Sequence, residues 1–124
     1  MADPWEVVYS DEFEQWVLSL SEGEQVDVMA CVTLLETKGP NLARPYADTL
    51  YGSNYSNMKE LRIQHNGKPY RAAYAFDPER KAVLLCGGNK KGKNEKKFYN
   101  KLIATADRVY QRHLEQQKQE AQHG

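Results

Sequence analysis

Arginines and lysines placed on β-strands are the residues of this chain most open to a chemical reading. Lys59 and Arg62 fall in MKELRIQ (58–64), Arg71 falls in YRAAYAF (70–76), and Lys90, Lys91 and Lys93 follow the apolar run that ends at Cys86. Strands favour β-branched and aromatic side chains, and clustered cations repel one another, so such a set calls for an anionic partner. Arginine offers a planar fork for phosphate oxygens and lysine a mobile point charge. With RNA as the partner, these groups can support strand cleavage without a metal. The ribose 2′-OH attacks the adjacent phosphorus, and the cations stabilise the charge that gathers on the phosphoryl oxygens. A base must take the 2′-OH proton and an acid must protonate the departing 5′-oxygen. His65 is the histidine nearest the set, but it adjoins the Asn66–Gly67 turn, where an exposed turn residue is the plainer reading. Tyr99 has an ordinary pKa of about 10 and can act as a base only if surrounding cations lower it. Its ring can otherwise stack on a nucleobase.

The stretch LCGGNKKGKNEKKFYNKL (85–102) invites a different reading. Gly87, Gly92 and Lys93 match the first seven positions of the nucleotide-binding G-x-x-x-x-G-K-[ST], but Asn94 stands where a hydroxyl must hold magnesium. The strands before it are joined by turns too short for a parallel crossover. No nucleotide cofactor is expected. Three scattered histidines and two cysteines without a C-x-x-C pair predict no metal site.

The elements that must position these residues are legible in outline. The chain of 124 residues, 40% apolar and 27% charged, is expected to form one domain. No apolar run approaches the roughly 20 residues that span a bilayer, and MADPWEVVYS lacks the basic and apolar blocks of a signal peptide. Cys31 and Cys86 lie in apolar contexts and are expected as buried free thiols, which fits a reducing cytoplasm. The zero net charge hides a segregation. Residues 1–56 carry two cationic side chains against ten acidic ones, whereas residues 57–101 carry twelve against four. Either the two halves are solvated faces or the basic one meets an anionic partner.

WEVVY (5–9) predicts a first strand. Ser10 caps a helix whose Phe13, Trp16, Val17 and Leu20 share a face, and Ser21 with Glu24 forms a capping box for a second helix bearing Val28, Cys31, Val32 and Leu35. Gly39–Pro40 ends it. Residues 39–56 read as a loop in which Tyr46, Tyr51 and Tyr55 cover the core or stack on a base. Three strands follow, Met58–Gln64, Tyr70–Phe76 and Lys81–Cys86, the first two joined through the Asn66–Gly67 hairpin turn. A last helix starts near Asn94. The order is β-α-α-β-β-β-α, an α+β domain with an antiparallel sheet. A domain over 1–114 is expected, with a polar tail, 115–124, that frays.

That order, with E-L-R (60–62), P-Y-R-x-x-Y (69–74), a strand ending in G-G-x-K-K (87–91) and the following F-Y (98–99), resembles the RelE/ParE superfamily of toxins. The similarity is to its HigB-like branch, often found in phage-related loci. It covers residues 5–112 and is strongest over 58–110. The resemblance implies the toxin of a type II toxin–antitoxin pair, a ribosome-dependent endoribonuclease that cleaves mRNA in the ribosomal A site without a cofactor. It further implies a cognate antitoxin with a helix-turn-helix domain. Carried over by position, Arg71 matches the strand arginine that contacts the scissile phosphate. Lys91 or its neighbour Lys90 matches the basic residue after the last strand, and Tyr99 the aromatic of the closing helix. Lys59 and Arg62 lie on the strand where RelE-like members carry cations. Lys90, Lys93, Lys96, Lys97 and His65 are the further candidate RNA contacts. The alternative is a gyrase-directed or non-enzymatic member neutralised by its antitoxin, and charge alone also allows a general nucleic-acid-binding domain.

Overall fold

Ser10 and Ser21 set the N-terminal half. A computed structural model describes residues 3–123. A first strand, β1 (Val7–Tyr9), leads into helix α1 (Asp11–Leu18), and Ser10 Oγ accepts from Phe13 N at 3.1 Å as its cap. Helix α2 (Glu22–Lys38) begins with the expected capping box, Ser21 N donating to Glu24 Oε1 and Glu24 N to Ser21 Oγ. It stops at Gly39, whose positive φ of 54° no β-branched residue would tolerate.

Strands β2 (Ala47–Thr49), β3 (Met58–His65), β4 (Lys68–Phe76) and β5 (Ala82–Asn89) precede the last helix, α3 (Glu95–His123). The five strands form one sheet in the order β1-β5-β4-β3-β2. The β3–β4 hairpin turns through Asn66 and Gly67, both at positive φ as its tight turn demands. Two features depart from expectation. The loop between α2 and β3 contains the short β2, which pairs with Leu61, Glu60 and Lys59 at the sheet edge. In addition, β1 runs parallel to β5, so the sheet is mixed rather than wholly antiparallel.

The sheet is covered on both faces. Phe13, Val28, Val32 and Leu35 of α1 and α2 pack on Leu61, Ile63, Tyr70, Tyr74 and Leu84. On the opposite face, Leu102, Ala106, Val109 and Tyr110 of α3 pack on Met58, Ala73, Ala75, Val83 and Leu85. The alanines of β4 let α3 lie close. A bulge between Ala73 and Tyr74 shifts the β4–β5 register, so that Gly88 faces Arg71. The polar segment after Leu114 continues α3 to His123, and Gln117 Nε2 and His113 Nε2 both bond the buried Asp77 carboxylate, at 2.6 and 2.8 Å.

Candidate functional site

Alternation along β3 and β4 decides which cations meet. Glu60 and Arg62 share a face of β3 with Met58, and Arg71 shares a face of β4 with Ala73 and Ala75; this is the face that α3 covers. Arg62 and Arg71 stand directly opposite one another, an arrangement of like charges that destabilises a sheet unless something lies between. The carboxylate of Glu60 does. Its Oε2 accepts from Arg62 Nη1 at 2.8 Å, and its Oε1 lies 3.7 Å from Arg71 Nε. Helix α3 supplies the fourth member, Tyr99, whose hydroxyl donates to Glu60 Oε1 at 2.8 Å and accepts from Arg71 Nε at 3.2 Å. Arg71 also donates to the Tyr70 carbonyl at 3.0 Å. Glu60 and Arg71 are 4% and 3% exposed, so the orientation of both is fixed by these bonds.

A second ion pair sits at the rim. Lys90 Nζ bonds Glu95 Oε1 at 2.8 Å and lies 5.6 Å from the centre of the Tyr99 ring. The Glu95 carboxyl is held below its ordinary pKa, first by its bond to Lys90, with Arg71 and Arg62 adding to the effect. Three cations and two carboxylates therefore face one another, leaving a cluster that is close to neutral but built from groups suited to phosphate.

Tyr99 is not the lowered-pKa base that its neighbours suggested. Burial and the bond to Glu60 raise its pKa, outweighing the lowering by Arg71. The phenol stays protonated at neutral pH and acts as a donor. Lys59 pairs with Tyr74 and lies on the sheet face covered by α1 and α2, away from Arg62. His65 lies on that face too, its Nδ1 bonded to Asp27 of α2 at 2.6 Å, so it is neither an exposed turn residue nor part of the cluster. Lys91 is exposed beside the rim, its backbone N bonded to Asn89 Oδ1. The remaining lysines divide. Lys93 and Lys97 line, with Lys101, a cleft of about 460 Å³ over Gly87 and Gly88, whereas Lys96 lines a groove beside Tyr99 on the other flank of α3. Gly87 is glycine for a packing reason, since a Cβ there would lie 2.3 Å from Trp16 Cε3.

Glu60 is the functional candidate that residue typing passed over. The signal was present in E-L-R, since residues 60 and 62 must share a strand face. The acidic residues of the N-terminal helices are also partly structural. Glu24 accepts from the Tyr70 hydroxyl, Asp27 bonds His65, and Glu12 accepts from both terminal guanidinium nitrogens of Arg112.

Comparison with known proteins adds family and fold. Residues 15–111 match the family described as "Phage derived protein Gp49-like (DUF891)". The chain is 41% identical over 101 residues to the candidate toxin HigB3 of Mycobacterium tuberculosis, covering 82% of this chain and 86% of that one. It is 37% identical to the candidate toxin HigB2 of the same organism over 86% of its own length, but spans about half, 53%, of that relative. Among solved structures, a mutant of the Escherichia coli toxin RelE in the free state superposes with a TM-score of 0.59 at 10% identity, over 82% of this chain and 95% of that one. The RelE–RelB complex of Pyrococcus horikoshii gives 0.53 at 14% identity, over 73% and 99%. At such identities the likeness is one of fold.

Proposed function

The chain belongs to the phage-derived Gp49-like family, is homologous to the mycobacterial HigB proteins and has the RelE-like fold, and on that premise we propose that it is the toxin of a toxin–antitoxin pair. It acts as a ribosome-dependent endoribonuclease on mRNA in the A site, in the cytoplasm where ribosomes work. A cognate antitoxin with a helix-turn-helix domain holds it silent; the RelE-like chain of Pyrococcus is itself found in complex with RelB. The observation that carries the reading is the Arg62–Glu60–Arg71–Tyr99 cluster, two arginines and a base held in fixed geometry on one sheet face.

In the reaction, docking of the mRNA opens the cluster, whose Arg71 and Glu60 are buried in the free chain, and the substrate phosphate meets the Arg71 and Arg62 guanidinium groups, which stabilise the charge on its non-bridging oxygens as the 2′-oxygen attacks. Glu60 accepts the 2′-OH proton. Tyr99, protonated, orients that carboxylate and the Arg71 Nε. The P–O5′ bond breaks, and the 5′-oxygen takes a proton from the ammonium of Lys90 or Lys91. The products are a 2′,3′-cyclic phosphate and a 5′-hydroxyl, with no electron transfer and no water consumed.

Induced expression without antitoxin tests this. Growth should stop and transcripts should carry new ends within the reading frame, and Arg71→Ala should prevent both while the chain still folds. Intact transcripts beside abundant folded wild-type protein would sink it. Inhibition of gyrase supercoiling with transcripts intact would favour the gyrase-directed alternative.

A further inference from the structure

Of the three tyrosines in the segment before β3, two are engaged or half-covered, but Tyr51 is 81% exposed. Tyr55 turns inward, its ring meeting Tyr110 edge-on at 4.8 Å. Tyr51 is not held out by a loose chain. Leu50 N bonds the Met58 carbonyl at 3.0 Å, Ser53 Oγ donates to Asp107 Oδ1 at 2.5 Å, and Asn54 N donates to Asp107 Oδ2 at 3.0 Å. The loop is thus pinned on both sides of Gly52, to β3 before it and to α3 after it, and an aromatic ring is fixed in water.

The ring forms one wall of a groove of about 710 Å³ between this loop and α3, whose other lining includes Lys96, Asn100, Asn54, Arg108 and Tyr99. Asp107 is the groove's one carboxylate, and its two oxygens are taken by the loop. Lys96 and Arg108 make no ion pair among the described residues, so with Asp107 they leave the groove one positive charge in excess. Tyr99 belongs to both sites. Its hydroxyl sits in the Glu60–Arg71 cluster and its ring borders the groove. A single-stranded RNA whose phosphate reaches Arg71 is therefore led past Tyr99 towards Tyr51.

We propose that this groove is a nucleobase subsite, in which the base of a nucleotide flanking the cut stacks on Tyr51 while Lys96 takes its phosphate. Aromatic stacking suits every base, and the amides of Asn54 and Asn100 offer both donors and acceptors to a base edge, which makes the groove a source of sequence preference. Tyr51 is in this account a positioning residue. The proposal rests on the endoribonuclease reading and deepens it.

The test is cleavage of a defined mRNA on purified programmed ribosomes, following rate against toxin concentration and the positions of the cuts. Tyr51→Ala should weaken cleavage about tenfold or more below saturation and flatten the preference among cut sites. Tyr51→Phe and Tyr51→Trp should restore both, because stacking needs the ring and not the hydroxyl. All three should melt with the wild type, since the side chain buries little. A Tyr51→Ala chain that cuts at wild-type rate and positions overturns the subsite and leaves the endoribonuclease reading standing. Failure of Tyr51→Phe alongside Tyr51→Ala overturns stacking as the mechanism. Loss of antitoxin neutralisation with normal cleavage assigns the groove to protein docking and overturns it too. A wild-type chain that leaves the mRNA whole removes both readings together.

Discussion

Replacing Glu60 by glutamine should reveal how much of this fold depends on one carboxylate. The side chain keeps its volume, and its carbonyl oxygen can still accept from Tyr99, 2.8 Å away in the native arrangement. What is lost is the charge between two arginines that face each other across the β3–β4 pair. Arg71, 3% exposed, cannot turn to water, whereas Arg62, half-buried, can partly escape. Removing one partner of a fully buried ion pair costs about 3–5 kcal/mol. Allowing for Arg62 relaxing and for the retained Tyr99 bond, a loss of about 2–4 kcal/mol is expected. At about 4 °C per kcal/mol for a domain of this size, the melting temperature should fall by roughly 8–16 °C. Calorimetry or circular dichroism on the variant and the wild type gives the difference. A Glu60→Gln chain that melts within about 2 °C of the wild type would show that the carboxylate is not what holds Arg71 and Arg62 together.

Further outcomes follow from the same contacts. Gly87→Ala should cost about 1–3 kcal/mol, visible as a lower melting temperature with altered Trp fluorescence, because the new Cβ would overlap Trp16. Tyr99→Phe should lower cleavage without removing any limb of the pH–rate profile between about pH 6 and 9, since the native phenol, its pKa raised by burial and Glu60, does not titrate there. Acid should destabilise the fold through Glu12, held at about 2 first by its bond to Arg112, and Glu24, held at about 2 first by its bond to Tyr70. Carboxylates depressed in the folded state contribute stability that is complete above their unfolded pKa and lost as pH falls through the folded one. The melting temperature should therefore drop between about pH 4.5 and 2, and less steeply in Glu24→Gln.

Much of the scaffold was legible because its signals are local. Ser10, the Ser21–Glu24 box, Gly39 and Asn66–Gly67 each satisfy or bend the backbone within a few residues, and the structure uses them as the sequence suggests. The parallel docking of β1 on β5 was not legible, since nothing in WEVVY distinguishes one direction of pairing from the other. Nor was the helical end of α3, whose anchor is a bond from Gln117 to Asp77 forty positions earlier. For the site, the types of Arg62, Arg71 and Tyr99 were readable and their convergence depended on strand order. Two readings missed what parity alone decides. Lys59 and Arg62 are three residues apart on one strand and so face opposite ways, while Glu60, two from Arg62, must lie beside it. His65 follows the parity of Lys59 and meets Asp27 instead of the cluster.

Cleavage of RNA on the ribosome by this cluster, as proposed, is open to one direct measurement. Purified wild-type protein, freed of antitoxin and incubated with ribosomes halted on a defined mRNA, should produce fragments ending at the A site, with cyclic phosphate on one side and 5′-hydroxyl on the other. Arg71→Ala, folded and at equal concentration, should produce none, and neither protein should cut the same mRNA without ribosomes. Fragments of equal yield from the wild type and Arg71→Ala would contradict the account, as would an mRNA left whole by the wild type.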